Sequence, residues 1–379
     1  MREFDLIVYG ASGFTGQQAA RYLAEKAPKD LRWAIGGRSS SSMNKAGVNV
    51  PIVVADGADP AALADLAKRA RVVLNMAGPF KLYGDKLVEA CIEAGTDYAD
   101  ISGETARIRR LIDRCHAKAE ERQVKVVNFC GASSLPADLA VALLDERLGG
   151  TLHQATATVS IVGGSFNGGT IASIVDAIES GDAMIERDPF LLGPEPGGAP
   201  QDIERDPTGL LRGGELGAWL APSPLGISDT RAVRRSAALL GRNITFQEYA
   251  VFESWREAAT FAAALRLLGI ALRQPWARRL IQNRIRPGTG PSAEQMDRAR
   301  FQLVVRGVGA AGVTGSAQIT GDGDAGNRIT VACACECALA LALNHPSLPA
   351  RFGVLTPAVA IGTMLAERLR QAGMTISVV

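Results

Sequence analysis

Along the first 130 residues one pattern repeats: a short apolar run, a turn holding glycine, proline or aspartate, and a longer stretch with apolar residues on one helical face. The runs at 6–9, 31–37, 51–55, 72–76, 97–101 and 124–129 predict six strands. The stretches at 17–26, 60–69, 86–94 and 106–123 predict the intervening helices. Strands that alternate with helices in this way build a doubly wound parallel sheet, so residues 1–135 are expected to form a Rossmann-type α/β domain. Beyond residue 135 the pattern changes. Longer strands are expected at 152–162 and 301–320, with helices at 169–180 and 257–273, which reads as a second, mixed α+β domain over 136–344. Proline and glycine become frequent between 188 and 224, and that stretch is read as a long loop or lid.

The first predicted strand runs into glycines spaced every third residue, Gly10, Gly13 and Gly16, and a helix opens immediately afterwards. Gly10 suits the tight turn. Gly13 lets backbone N–H groups approach a pyrophosphate, and Gly16 allows the helix to pack on the strand. The segment Gly10, Ser12, Gly13, Phe14, Thr15, Gly16 is therefore a candidate dinucleotide cradle. At the end of the second strand the chain has Arg38 and Ser39 where an NAD site would carry an acid. A guanidinium beside a hydroxyl suits a 2′-phosphate, so NADPH is the expected cofactor, with Lys45 as a possible helper. Asp56, after the third strand, is a candidate for the adenosine end, and a turn-capping role explains it equally well. Ala77, Gly78, Pro79 and Phe80, after the fourth strand, are candidates for the ribose or nicotinamide end.

Composition narrows the classes. The chain has 379 residues, 47% of them hydrophobic, and a formal net charge of +2, enough apolar material for two domains and too little basic excess for a nucleic-acid protein. No charged leader followed by an apolar run precedes the first strand, which with the unpaired cysteine spacing leads to an expectation of a cytoplasmic protein. Cys91, Cys115, Cys130, Cys333, Cys335 and Cys337 match neither a disulfide framework nor zinc-ligand spacing, and no metal is expected. The stretch 258–272 is the most apolar in the chain and is followed by Arg278, Arg279, Arg284 and Arg286, with Trp255 and Trp276 near its ends. It is too short to span a bilayer. Peripheral membrane or lipid contact is one reading; a helix buried in the domain core or at a homodimer interface is the other.

Several blocks together resemble the saccharopine dehydrogenase-like oxidoreductases, a family that includes the trans-acting enoyl reductases. They are GASGFTG at 10–16, GGRS at 36–39, VVLNMAGPFKLYG at 72–84, ACIEAGTDYADISGE at 90–104, LPADLA at 135–140, GGT at 168–170, GPSAEQMDRARF at 290–301 and LTPAVA at 355–360. The resemblance implies an NADPH-dependent reductase acting on a double bond of a hydrophobic acyl or polyketide-type substrate. The alternatives are an imine or carbonyl reductase of amino-acid metabolism, and a nucleotide-binding adaptor at a lipid surface that performs no turnover. It also implies that the C-terminal residues 345–379 return to the nucleotide domain, with 374–379 as a closing strand. Where many relatives have GFDS, this chain reads Gly131, Ala132, Ser133, Ser134. Such a reduction needs a proton as well as a hydride. Tyr83, Tyr98 and Asp100 lead the candidates, Tyr83 first because it adjoins the cofactor loop; Ser102, Glu104, Ser133, Ser134 and Thr170 follow.

Overall fold

The computed structural model describes residues 2–163, 167–193, 202–213, 217–285 and 288–379. Its first sheet is parallel throughout. The strands are β1 (Phe4–Tyr9), β2 (Trp33–Gly37), β3 (Ile52–Val54), β4 (Ala70–Asn75), β5 (Asp97–Asp100) and β6 (Lys125–Val127). A second group of strands follows in the chain: β7 (Gln154–Val162), β8 (Leu211–Gly213), β9 (Ala218–Pro222), β10 (Thr245–Phe252), β11 (Arg300–Val308), β12 (Thr314–Asp322), β13 (Gly353–Leu355) and β14 (Thr375–Val378). The first sheet has the order β13-β6-β5-β4-β1-β2-β3 and the second β14-β12-β11-β7-β10-β9-β8. The α/β class with a second mixed sheet is as expected.

Both faces of the parallel sheet are covered, which is why β1 and β4 are apolar without alternation. Ile7, Val73 and Tyr98 face the helices Pro60–Arg69, Asp85–Ala94 and Thr105–Glu121. Leu6, Val8, Val72 and Leu74 face the opposite layer, built from the helices Phe14–Lys26 and Thr330–Leu343. The latter helix falls within 136–344, the stretch read as the second domain, and was not itself expected. It is apolar on every side, and all three cysteines of its CxCxC run are buried. The segment Ala325–Leu343 is long and apolar enough to cross a membrane, yet 83% of it is buried within the protein, so it serves as a core helix. Tyr22 donates to its buried Glu336 at 2.8 Å, and Arg368 pairs with the same carboxylate at 2.9 Å.

The C-terminal return is split. β13 pairs in parallel with β6 and closes the nucleotide sheet, whereas β14 pairs antiparallel with β12 in the second sheet. The expectation for 374–379 is therefore corrected: Ile376 alternates inward against β12, and the edge of the first sheet is already taken. The predicted long strand at 301–320 is a hairpin, β11 and β12, turned at Ala310–Gly312. The described part of 188–224 contains two strands. Although 194–201 and 214–216 lie outside the described residues, Leu211–Leu220 and Gly213–Ala218 pairing extends the second sheet. Helices Leu135–Arg147 and Gly226–Leu239 cover one face of that sheet, where Leu303 and Val305 are buried, while Arg300, Gln302 and Arg306 point to the open face.

Candidate functional site

Strand order reverses between β1 and β4, and the loops leaving these two strands meet at their carboxyl ends, the place where open α/β sheets bind ligands. The Met76 N–H donates to the Tyr9 carbonyl at 2.8 Å. Gly10 has φ +85°, and a Cβ there would lie 2.7 Å from the Ala77 nitrogen. A Cβ on Gly16 would run into the Gly10 carbonyl oxygen. The protein's own packing thus requires both glycines. Gly13 is different: its φ is an ordinary −75°, and a Cβ would meet only the Gly10 carbonyl oxygen, at 3.4 Å. The helix that begins at Phe14 has no side-chain cap and no acid in its first turn. Its free N–H groups and positive dipole end therefore favour an anion, and the bare Cα of Gly13 leaves room for one. These residues fit a dinucleotide pyrophosphate. From the second domain, Gly290 packs on the Phe14 ring and Arg328 donates to Gln18 at 3.2 Å, so the cradle lies beneath the other half of the molecule.

At the ends of β2 and β3, Arg38 is exposed and makes no hydrogen bond or ion pair with the described residues. Ser39 follows it, with its hydroxyl 2.9 Å from that of Ser41. Asp56 accepts from the Ala58 N–H at 2.9 Å, a turn-closing role. Tyr9 donates to the Ala55 carbonyl at 3.2 Å, and burial followed by the Asp56 charge pushes its phenol up to about 12. Tyr83 rests against Gly57 beside Tyr9. That places Tyr83 by β3, at the adenosine side of the cradle, and removes the reason for choosing it as proton donor.

Around the ends of β4 to β6 the side chains lock one another. Asn75 holds the next loop by accepting from the Ala77 N–H at 2.9 Å and donates to the Tyr98 hydroxyl at 2.9 Å. Tyr98 donates to Asp100, and Asp100 also accepts from the Ser102 N–H and Asn128 and pairs with Arg107 at 3.3 Å. Tyr98 and Asp100 have no exposed surface. Burial, reinforced by the Asp100 charge, raises the Tyr98 phenol well above its ordinary range. Both were candidates for proton transfer; their enclosure makes them a brace for the strand ends instead. Glu104 accepts from the Phe80 and Lys81 N–H groups at 3.1 and 2.9 Å and from Ser173 at 2.7 Å. It thereby ties the loop Ala77–Phe80, whose Gly78–Pro79 bond is cis, to a helix of the second domain. Thr170 is turned toward its cap, Asn167, with its N–H and its hydroxyl at 3.0 and 3.3 Å from the Asn167 amide oxygen.

One cluster joins the candidates Ser133 and Ser134 to residues the sequence reading did not name. Ser133, half-exposed after β6, faces Gly103 after β5, and Ser228 from the second domain lies against both: its hydroxyl donates to the Ser133 carbonyl at 2.7 Å. Behind Ser228, at 3.2 Å, is Asp229, which also takes Ser134 at 3.5 Å. Asp229 and Glu248 are fully enclosed and close enough to share a hydrogen, and Ser223 donates to Glu248 at 2.6 Å. No donor reaches the other Glu248 oxygen among the described residues. Burial first, then the neighbouring Glu248 charge, raises Asp229 well above the carboxylate range, and burial raises Glu248 too. Two enclosed carboxyls this close together favour one shared proton over two negative charges. Nothing in the sequence flags this pair, because a helix and a strand from separate parts of the chain bring the two acids together.

Comparison with known proteins agrees with this architecture. Residues 6–127 match the saccharopine dehydrogenase NADP binding domain. Over its full length the chain is 36% identical to a putative trans-acting enoyl reductase of Mycobacterium tuberculosis, covering 99% of this chain and 97% of the relative. It is 33% identical to a trans-acting enoyl reductase of Mycobacterium ulcerans, covering 99% and 98%. Apo saccharopine dehydrogenase (L-Glu forming) from Saccharomyces cerevisiae shares the fold at a TM-score of 0.54 and 15% identity, with 99% of each chain covered. With an NADP-binding domain and full-length likeness to reductases, the chain belongs to the saccharopine dehydrogenase-like oxidoreductase family that includes the trans-acting enoyl reductases.

Proposed function

We propose that this oxidoreductase uses NADPH to reduce a carbon–carbon double bond conjugated to the carbonyl of a hydrophobic acyl or polyketide-type substrate, in the cytoplasm. The full-length likeness to trans-acting enoyl reductases carries the choice of reaction. Gly13, the first turn of the helix at Phe14 and Thr15, and Ser12 would hold the pyrophosphate. Arg38 and Ser39 would hold the 2′-phosphate, and Ala77, Gly78, Pro79 and Phe80 would border the nicotinamide side. The bound cofactor supplies the hydride.

The second requirement is a proton for the carbon that does not receive hydride. Ser228 is half-buried, borders Gly103 and Ser133 at the strand ends, and is backed by the Asp229–Glu248 pair. The Ser228 hydroxyl would give its proton to the substrate carbanion and regain one from Asp229. The pair, left with two enclosed negative charges, would then recover a proton from solvent. An enolate is a far stronger base than a carboxylate, so even a raised carboxyl is acid enough for this step.

Steady-state NADPH oxidation measured with a long-chain 2-enoyl thioester, and separately with a 2-oxo acid plus amino acid that form an imine, tests the reading. Turnover with the thioester alone is expected. Turnover with the imine alone would overturn it in favour of amino-acid chemistry, and nucleotide binding without turnover of either would favour the adaptor.

A further inference from the structure

Helix Trp255–Leu272 packs on β9 and β10, and helix Pro275–Arg284 packs on it and on the helix Gly168–Glu179, but their outward faces are apolar. In the first helix only Ala258 and Leu272 are buried. Ala263, Leu267 and Ile270 fall on the solvent side at the spacing of successive turns, with Leu267 66% and Ile270 58% exposed. In the second, Trp276 and Leu280, one turn apart, are 66% and 53% exposed. A surface helix of a globular protein normally carries its polar residues there. The expectation that this helix is buried in the domain core is overturned, and an apolar patch of this kind marks an interaction surface.

The charge on the patch identifies what it meets. Between Glu257 and Glu294 the sequence contains six arginines and no acid. Arg266 and Arg273, seven apart, flank the apolar stripe on one side, and Arg279 and Arg284 are exposed on the next helix; Arg278 is occupied by Glu179 at 3.0 Å. Trp255 and Trp276 stand at the two ends of the first helix. A second copy docked across a two-fold axis would set arginine against arginine with no acid in the segment to offset them. An anionic bilayer satisfies every part: acyl chains for the leucines, the interfacial zone for the tryptophans, and headgroup phosphates for the arginines.

We infer that these two helices form a peripheral membrane-binding element that seats on anionic lipid. The apolar stripe enters the headgroup boundary without spanning the bilayer.

Co-sedimentation of the full chain with phosphatidylcholine vesicles, with and without phosphatidylglycerol, tests this. Binding is expected only with the anionic lipid and should fall at least ten-fold as salt rises. In the unmodified protein, tryptophan emission should shift to the blue on binding and be quenched by brominated acyl chains. The pair Leu267→Asp and Ile270→Asp should lower binding at least ten-fold. Arg266→Gln, Arg273→Gln and Arg279→Gln together should abolish the preference for phosphatidylglycerol. Circular dichroism and NADPH titration, whose site is on other elements, check that each variant remains folded. Several results would overturn the inference: no sedimentation and no blue shift with either vesicle, or full binding by the folded Leu267/Ile270 variant. A dimer in sedimentation velocity that this variant dissociates, without vesicle binding, would assign the face to a second copy. Binding to a soluble acidic polypeptide but not to vesicles would assign it to a protein.

Discussion

Gly13 and Gly16 lie three residues apart where the first loop becomes a helix, yet only Gly16 is demanded by the protein's own packing. Their substitutions should therefore diverge. Gly13→Val is expected to abolish NADPH binding while leaving the thermal transition nearly unchanged, whereas Gly16→Val should unfold or strongly destabilise the domain. Calorimetry together with nucleotide titration distinguishes the two. Arg38 is exposed and unpaired among the described residues, so its removal leaves nothing else unsatisfied. Loss of one charge-assisted phosphate contact costs about 1.5–3 kcal/mol, and Arg38→Ala should weaken NADPH by roughly ten-fold or more with NADH unaffected.

Asp229 gives a prediction with a definite sign. Its carboxyl is raised in the folded state, so the folded protein keeps a proton that the unfolded chain releases above about pH 4. Its contribution to stability is present at low pH and is lost as pH rises from there through the folded value. Asp229→Asn keeps acceptors for Ser134 and Ser228 and presents an N–H to Glu248. It should flatten this decline in chemical-denaturation curves taken across pH while lowering kcat and removing the alkaline fall in the rate. An unchanged pH–rate profile would leave the pair a structural role only. Among single residues, Gly10 and Gly16 were legible because the tight turn and the close packing of loop on helix admit no side chain there. Tyr98 and Asp100 were not, since a polar residue at a strand end reads the same whether it faces the cleft or is enclosed by Asn75 and Arg107.

For the elements, legibility followed periodicity. All six strands of the first 130 residues are present, most of them as apolar runs closed by a turn; β5, with an aspartate at each end, is the exception. The helix Thr330–Leu343 lies within the stretch read as the second domain yet covers the first sheet: a largely apolar segment tells that it is buried, not against which sheet. β14 misled for a related reason, since both sheets offer an edge to a short alternating strand and only the antiparallel register with β12 decides. Glu104 shows how an element is held from a distance. Its carboxylate caps the short helix Phe80–Tyr83 and takes the Ser173 hydroxyl from the facing domain. Glu104→Ala should cost about 2 kcal/mol, speed amide exchange at Phe80 and Lys81, and raise the KM for NADPH more than it lowers kcat. Exchange rates equal to those of the parent protein would show that Glu104 does not hold the loop.

In the whole molecule, the parallel sheet offers the cradle, and a helix covering the mixed sheet brings Ser228, with the acid pair behind it, against Gly103 and Ser133 at the strand ends. The fold class could be read from the chain, as could an NADP-binding domain. The arrangement proposed for proton delivery could not, because it needs Gly103, Ser133, Ser228 and Glu248 from separate elements to converge. The most direct measurement is isotopic transfer. With NADPH deuterated at the transferable position of the nicotinamide and a 2-enoyl thioester in ordinary water, mass spectrometry should find one deuterium on the β-carbon of the saturated product and a proton from solvent on the α-carbon. A saturated product without deuterium, or no saturated product while deuterium passes to an imine or carbonyl, would contradict the account.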